Sequence, residues 1–399
     1  MLKKIPTSKL RTGMYLHKIC GSWVKNPFWR GSFVIKDPKD ISKILKSTIK
    51  QVVIDTSKGL DVDIEKTKKP QKKETAPPKK TKIRNAASQR IENWQQARLV
   101  CLDTRKAVES MFQDVRLGKA VDIKAVGVLV NGIVSSNKDC LDTVINMARI
   151  KNCDNYTYMH SVAVCAMMIS LARQMGLSES DVNLAGKGGL LHDLGKSMMP
   201  SEVLNKPGKL TVEEYAVMKN HPAEGYKILE SSAQTAPEVL DVIMHHHEKF
   251  DGSGYPGGLK GDGISLFSRM AAVCDVYDAV TSNRAYKEGW DPGQSLRKMT
   301  AWKGHFDPQI LQAFIKSIGI YPVGTLVKLE SGRIGIVLEQ ITGKLLNPIV
   351  KVFFSTRPKG PISIEEIDLS SALCKDGIVS LEDNAKWNFK NLNELWLPE

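Results

Sequence analysis

The sequence has no apolar run that approaches the length needed to span a bilayer, and its opening, Met-Leu-Lys-Lys-Ile-Pro, lacks the continuous apolar core of a signal peptide. The chain therefore reads as cytoplasmic. Its seven cysteines, Cys20, Cys101, Cys140, Cys153, Cys165, Cys274 and Cys374, are scattered without a Cys-x-x-Cys pair. That scatter argues against a disulfide framework and against a zinc ribbon, and leaves reduced, mostly buried thiols as the expectation. An even spread of positive charge is also lacking. Between Glu65 and Lys82, eight lysines against two glutamates carry +6 of the net +14. This stretch has three prolines and almost nothing to bury, so it reads as a disordered tether over residues 65–85. With the remaining charge thinly distributed, no nucleic-acid partner is expected.

At 399 residues the chain exceeds what one core supports, and the composition divides it into blocks. Residues 1–64 carry short alternating apolar runs at Met14–Ile19, Phe33–Ile35 and Val52–Asp55, with a short helix expected after the acidic cap Asp40. This reads as a small α+β domain whose aromatic residues Trp23, Phe28, Trp29 and Phe33 suit a minimal core or a docking face. Residues 86–320 are dominated by helical periodicity, beginning with Ile91, Trp94, Leu99, Leu102 and Val108. Capping patterns at Ser178–Asp181 and Thr211–Glu214, with Gly176 ending the preceding helix, mark helix boundaries. A loop with six glycines among fifteen residues interrupts the helices from Asp251 to Ser265. Residues 321–399 read as β-rich, with strands at Thr325–Glu330, Arg333–Leu338 and Ile349–Phe354 and no metal or catalytic cluster. The fold class is thus mainly α, a helical bundle between a small α+β domain and a β-rich tail.

Six of the eight histidines fall between positions 160 and 247, as His160, His192, His221 and the run His245-His246-His247. Imidazoles together with Asp193 and Asp275 form a donor set suited to iron, manganese, zinc or nickel, and a set this large holds two ions. Two neighbouring ions point to hydrolysis of a phosphate ester. In Gly188-Gly189-Leu190-Leu191-His192-Asp193-Leu194-Gly195-Lys196 the small and apolar residues imply a deep position for His192 and Asp193, and a buried aspartate needs a cation. Lys196 faces the same space, where it would hold a phosphate oxygen or assist the leaving group. Consecutive helical side chains diverge by about 100°, so two rather than three of His245, His246 and His247 are expected to ligate. Asp278 lies one turn after Asp275 on the same face. His160 alone, on an apolar helix, would more often be a hydrogen-bonded core residue; the other clusters change that balance. His17 and His305 stand outside the pattern.

These motifs carry a family resemblance. His192-Asp193 with Gly195-Lys196, the run His246-His247-Glu248-Lys-Phe-Asp251-Gly-Ser-Gly254-Tyr255-Pro256, and Asp275-Val-Tyr-Asp278 through Arg284-Ala-Tyr-Lys287 together resemble the HD-GYP family over residues 140–315. Its members are bacterial phosphodiesterases of the HD superfamily that hydrolyse cyclic di-GMP. The N-terminal block resembles the small domain of unknown function often found ahead of HD-GYP domains. The resemblance implies metal ligands at His160, His192, Asp193, His221, His246, His247 and Asp275, with Asp193 shared between two ions and His245 left over. It implies that Lys196 contacts the scissile phosphate, and that Tyr255, Arg284 and Lys287 contact the dinucleotide. Some members carry a glutamate where this chain has Tyr156, which favours two ions over three. The expected cofactors are two divalent ions, iron or manganese first, with nickel and zinc compatible. The family suggests pGpG as first product and GMP as the later one. Two alternatives stay open: hydrolysis of 3′,3′-cyclic GMP-AMP, and a cyclic-dinucleotide receptor with faded catalysis. A homodimer or a protein partner bound through the N-terminal domain is also left open.

Overall fold

The computed structural model of the protein describes residues 2–20, 33–35, 41, 51–60, 80–136, 138–149, 156–232, 234–283, 289–341 and 343–397. The chain divides into two compact units, Met1–Pro78 and Lys79–Glu399.

In the first unit, β1 (Leu2–Pro6), β2 (Tyr15–Cys20), β3 (Phe33–Val34) and β4 (Gln51–Asp55) form an antiparallel sheet in the order β1-β4-β2-β3. Alternation along β4 turns Val52 and Ile54 inward, where they meet Met14, Leu16 and Ile35 in a small dry core. The sequence pattern gives no warning of β1. That strand buries only Ile5 and carries two lysines, so its alternation is faint, and pairing with β4 from Leu2 opposite Asp55 to Pro6 opposite Gln51 is what defines it. Of the helix expected after Asp40, only Ile41 is described, and it packs against this core. Trp23, Phe28, Trp29 and the Phe33 side chain lie outside the described residues.

The second unit opens with α1 (Lys80–Arg116), followed by α2 (Ile123–Val134) and α3 (Lys138–Arg149). The helix α1 begins inside the stretch assigned to the tether. Lysine, arginine and alanine favour helix, and a helix that begins at Lys80 lies wholly beyond the prolines of that stretch. Next comes α4 (Tyr156–Gln174), whose residues Val162–Ile169 are 0–1% exposed. A helix apolar all round must sit at the centre of its bundle. It shares one hydrophobic core with α5 (Glu179–Leu191), while the short α6 (Ser201–Leu204) and α7 (Val212–Met218) bury no residue; α8 (His221–Glu230), α9 (Pro237–His245), α10 (Leu266–Thr281), α11 (Pro292–Ala301) and α12 (Pro308–Ile318) complete that core. Both capping patterns form as expected: Ser178 accepts from the Asp181 amide, and Thr211 and Glu214 make a reciprocal capping box. Each aliphatic side chain fully buried in this core contributes about 1.5–3 kcal/mol.

The tail is an antiparallel sheet of β5 (Leu326–Leu329), β6 (Arg333–Glu339), β7 (Ile349–Thr356), β8 (Lys359–Asp368) and β9 (Ile378–Leu381), in the order β8-β7-β6-β5-β9. It is joined firmly to the bundle. The Leu326 amide donates to Asp291 Oδ2 at 3.0 Å, the Gln294 side chain donates to the Glu382 carbonyl at 3.2 Å, and Arg90 of α1 donates to Glu366 of β8 at 2.7 Å. Among the described residues no helix is long and apolar enough to cross a membrane.

Candidate metal centre

Five segments of the bundle deliver the clustered donors: His160 from α4, His192 and Asp193 from the end of α5, His221 from the start of α8, His246 and His247 from the turn after α9, and Asp275 from α10. Two glycines make the convergence sterically possible. A Cβ on Gly189 would come within 2.9 Å of the Cys165 backbone, so glycine lets α5 lie against α4 and brings His192 beside His160. A Cβ on Gly195 would lie 1.9 Å from the His221 carbonyl oxygen, so glycine lets the turn after Asp193 close on α8. Helix α9 ends at His245, and His246 and His247 follow in the turn, His246 still in helical backbone conformation with its amide bonded to the Val242 carbonyl at 3.0 Å. His245 is left facing Asp241 at 3.9 Å and Glu248 at 3.7 Å, away from the other histidines.

The donors fall into two groups, His160 with His192 and Asp275, and Asp193 with His221, His246 and His247. Asp193 stands between them. Its Oδ2 lies 3.4 Å from both His160 Nε2 and His192 Nε2, while Oδ1 lies 3.3 Å from His221 Nε2 and 3.9 Å from His246 Nε2. The ring orientations are fixed from behind. His192 Nδ1 meets the Gly189 carbonyl at 2.8 Å, His221 Nδ1 meets the Met218 carbonyl at 2.7 Å, and His246 Nδ1 meets the Ile243 carbonyl at 3.0 Å. A carbonyl only accepts, so each Nδ1 carries the proton and each neutral ring turns its Nε2 lone pair inward. His160 does the same, with Nδ1 donating to Asp278 Oδ2 at 2.6 Å and Nε2 lying 2.9 Å from Asp275 Oδ1. As a result, Nε2 atoms face one another at 3.2 Å (His160 and His192) and 3.3 Å (His221 and His246) with no proton between them. Converging lone pairs repel unless a cation lies among them, and backing of a ring by carbonyl or carboxylate is how proteins orient metal-binding histidines.

The electrostatics agree with that reading. Burial opposes charge on Asp193, but the groups around it, the Lys196 ammonium among them, outweigh it and hold the carboxyl well below the usual range. Burial lowers His246 well below its ordinary value and His247 to about 3, so both rings are neutral at pH 7 with lone pairs free for ligation. Asp193 Oδ1 is buried yet makes no hydrogen bond among the described residues, an orphaned acceptor where a cation fits. Lys196 Nζ donates to Asp193 Oδ2 at 2.6 Å.

The glycine-rich loop brings Tyr255 to this cluster, with its ring 4.8 Å from that of His247. Arg284 and Lys287 lie outside the described residues, as does the side chain of Tyr156, whose backbone opens α4 one turn before His160. Several neighbours were not assigned from the sequence. Asp278 was placed on the correct face by its spacing from Asp275, but its bond to His160 is a tertiary fact. Glu248, 2% exposed, accepts from the Gly257 amide at 2.7 Å and the Leu259 amide at 3.1 Å and so shapes the loop; the sequence placed it in the motif run without giving it a role. Lys219 Nζ lies 5.8 Å from the Tyr255 ring and 5.3 Å from the Tyr215 ring, and no local pattern singles out either residue.

A family model described as an HD domain matches residues 141–310, and one described as a domain of unknown function (DUF3391) matches residues 2–126. The chain is 48% identical over 399 residues to a cyclic di-GMP phosphodiesterase of Pseudomonas aeruginosa, covering 99% of this chain and 96% of that protein. It is 45% identical over 148 residues to the cyclic di-GMP phosphodiesterase response regulator RpfG of Xanthomonas campestris, 37% of this chain and 39% of that protein. It is 35% identical over 190 residues to a 3′3′-cGAMP-specific phosphodiesterase of Vibrio cholerae, 47% of this chain and 36% of that protein.

Proposed function

The chain belongs to the cyclic di-GMP phosphodiesterase family, with an HD domain, and on that premise we propose that it hydrolyses cyclic di-GMP to linear pGpG, and pGpG onward to GMP, at a two-metal centre. The observation that carries the proposal is the inward convergence of Nε2 lone pairs around a buried, ionised Asp193 with an unused oxygen. His160, His192 and Asp275 would hold one divalent ion, His221, His246 and His247 the other, and Asp193 would serve both. Iron or manganese, with nickel and zinc compatible with the same donors, would lower the pKa of a water nucleophile and polarise the phosphoryl group.

The residues of the chain do the rest. Lys196 is drawn to Asp193 in the free protein and turns its ammonium to the phosphate when the carboxylate is otherwise engaged, opposing the negative charge that gathers in the transition state. Asp278 holds His160 in the tautomer that leaves Nε2 unprotonated. Glu248 fixes the loop that carries Tyr255, and Tyr255 with Arg284 and Lys287 contacts the dinucleotide. Water adds across one bridging P–O bond, leaving a terminal phosphate and a free hydroxyl, so the ring opens.

The test is an anaerobic assay of the full chain, loaded with iron or manganese, on cyclic di-GMP and on 3′,3′-cyclic GMP-AMP. Linear product from cyclic di-GMP, formed faster than from the mixed dinucleotide, is expected. Equal turnover removes the guanine preference, and tight binding of cyclic di-GMP without turnover would make the chain a receptor.

A further inference from the structure

A partly open cavity lies within the same unit, where the bundle meets the tail sheet. It measures about 450 Å³, within the size range of small-molecule sites, and is bounded by α1, α3, β6, β7, β8 and the C-terminal segment. Tyr277 forms part of its wall, while Asp275 and Asp278 of the same helix turn to the histidines, so the two sites occupy different faces of α10.

The charge around this cavity is unbalanced. Asp139, Asp142, Glu339 and Glu366 line it against Arg90 and Lys351. Arg90 is already engaged, with Glu366 at 2.7 Å and Glu339 at 3.8 Å. Asp142 makes no hydrogen bond or ion pair among the described residues, and burial pushes its carboxyl up to about 7. A second group is unsatisfied in the same wall: the Trp94 indole N–H is buried without an acceptor. The remaining surface is aromatic and aliphatic, including Trp396, Ile91, Ile145 and Leu338. An unpaired carboxylate beside indole rings and aliphatic walls is complementary to an ammonium group on an apolar body, since the carboxylate supplies the counter-charge and the rings a cation–π surface.

We propose that this cavity is a second ligand site, for a small organic amine bound as its cation, with Asp142 as the counter-ion. The amine's hydrocarbon portion lies against the aliphatic wall. The proposal concerns binding alone and stands whether or not the chain hydrolyses cyclic di-GMP.

The experiment is calorimetric titration of the full chain with phenethylamine, alongside 2-phenylethanol and 3-phenylpropanoate as neutral and anionic counterparts of similar size. One phenethylamine per chain is expected to bind at least about tenfold more tightly than either counterpart, the factor that one charge-assisted contact worth about 1.4 kcal/mol provides. Asp142→Asn is expected to bring the amine down to the level of the alcohol, while metal content stays unchanged as a check on folding. Equal binding of all three compounds, amine binding that survives Asp142→Asn, or no binding of any of them would overturn the proposal, the last leaving the space to solvent only.

Discussion

Asp193 and Asp142 are both enclosed by the second unit, and they end in opposite electrostatic states. Burial penalises the charged form of each. Around Asp193, neighbouring groups that include the Lys196 ammonium reverse that penalty and hold the carboxyl far below its ordinary range. Around Asp142, burial is opposed by Lys138 but Asp139 adds to the rise, and the carboxyl goes up to about 7. Enclosure alone therefore does not make a metal ligand. What distinguishes the Asp193 cleft is a group of imidazoles, those of His160, His192, His221 and His246, each donating from its outer nitrogen to a carbonyl or carboxylate behind it.

Substitutions can break this contrast, and the largest effect is expected at its centre. Asp193→Asn should remove the shared anionic oxygen, so that metal content falls and cyclic di-GMP hydrolysis drops to background, with the helical circular dichroism retained. Lys196→Ala should leave metal content intact and lower kcat by about 10²- to 10³-fold, the usual cost of removing one group that stabilises transition-state charge. Asp278→Asn should be milder, with metal affinity or activity reduced by about 10- to 100-fold, as for other residues that orient a ligating histidine. A readout specific to its role is the pH profile, which Asp278→Asn should displace and a substitution of merely structural effect would not.

Asp142→Asn sharpens the comparison from the other side, with no change in basal hydrolysis. Its raised carboxyl contributes stability that is fully present below the unfolded value of about 3.9 and is lost as pH rises toward 7. The variant should therefore gain on the wild type in melting temperature across that window, by an amount worth a few kcal/mol at most, since one pKa unit is about 1.4 kcal/mol. Parallel melting curves at pH 4.5 and pH 7.5 would contradict the assignment.

Much of the metal cleft was legible in the sequence because its donors sit in runs whose chemistry is distinctive: His192-Asp193, His246-His247 and Asp275. Spacing alone supported metal-assisted phosphoester hydrolysis, the substrate came from the resemblance, and the match over nearly the whole chain to the Pseudomonas aeruginosa phosphodiesterase bears that resemblance out. The mainly helical bundle, the N-terminal sheet and the β-rich tail were likewise visible in periodicity. What stayed hidden depends on where elements end and which of them meet. Which two of the three consecutive histidines turn inward was open from spacing alone, and only the resemblance singled out His245 as the one left over. Tyr215 and Lys219 reach Tyr255 only through packing of α7 against the glycine-rich loop. The cavity around Asp142 is assembled from segments of α1, α3, β6, β7, β8 and the C-terminal end, so no local pattern could announce it.

The central claim is that inward-facing imidazoles and a shared Asp193 form a binuclear centre. Elemental analysis of the anaerobically prepared full chain tests it most directly, set beside the same measurement on Asp193→Asn. The account predicts two divalent ions per wild-type chain and a marked loss in the variant. A chain that turns over cyclic di-GMP while holding no metal, or a variant that keeps both ions, would contradict it.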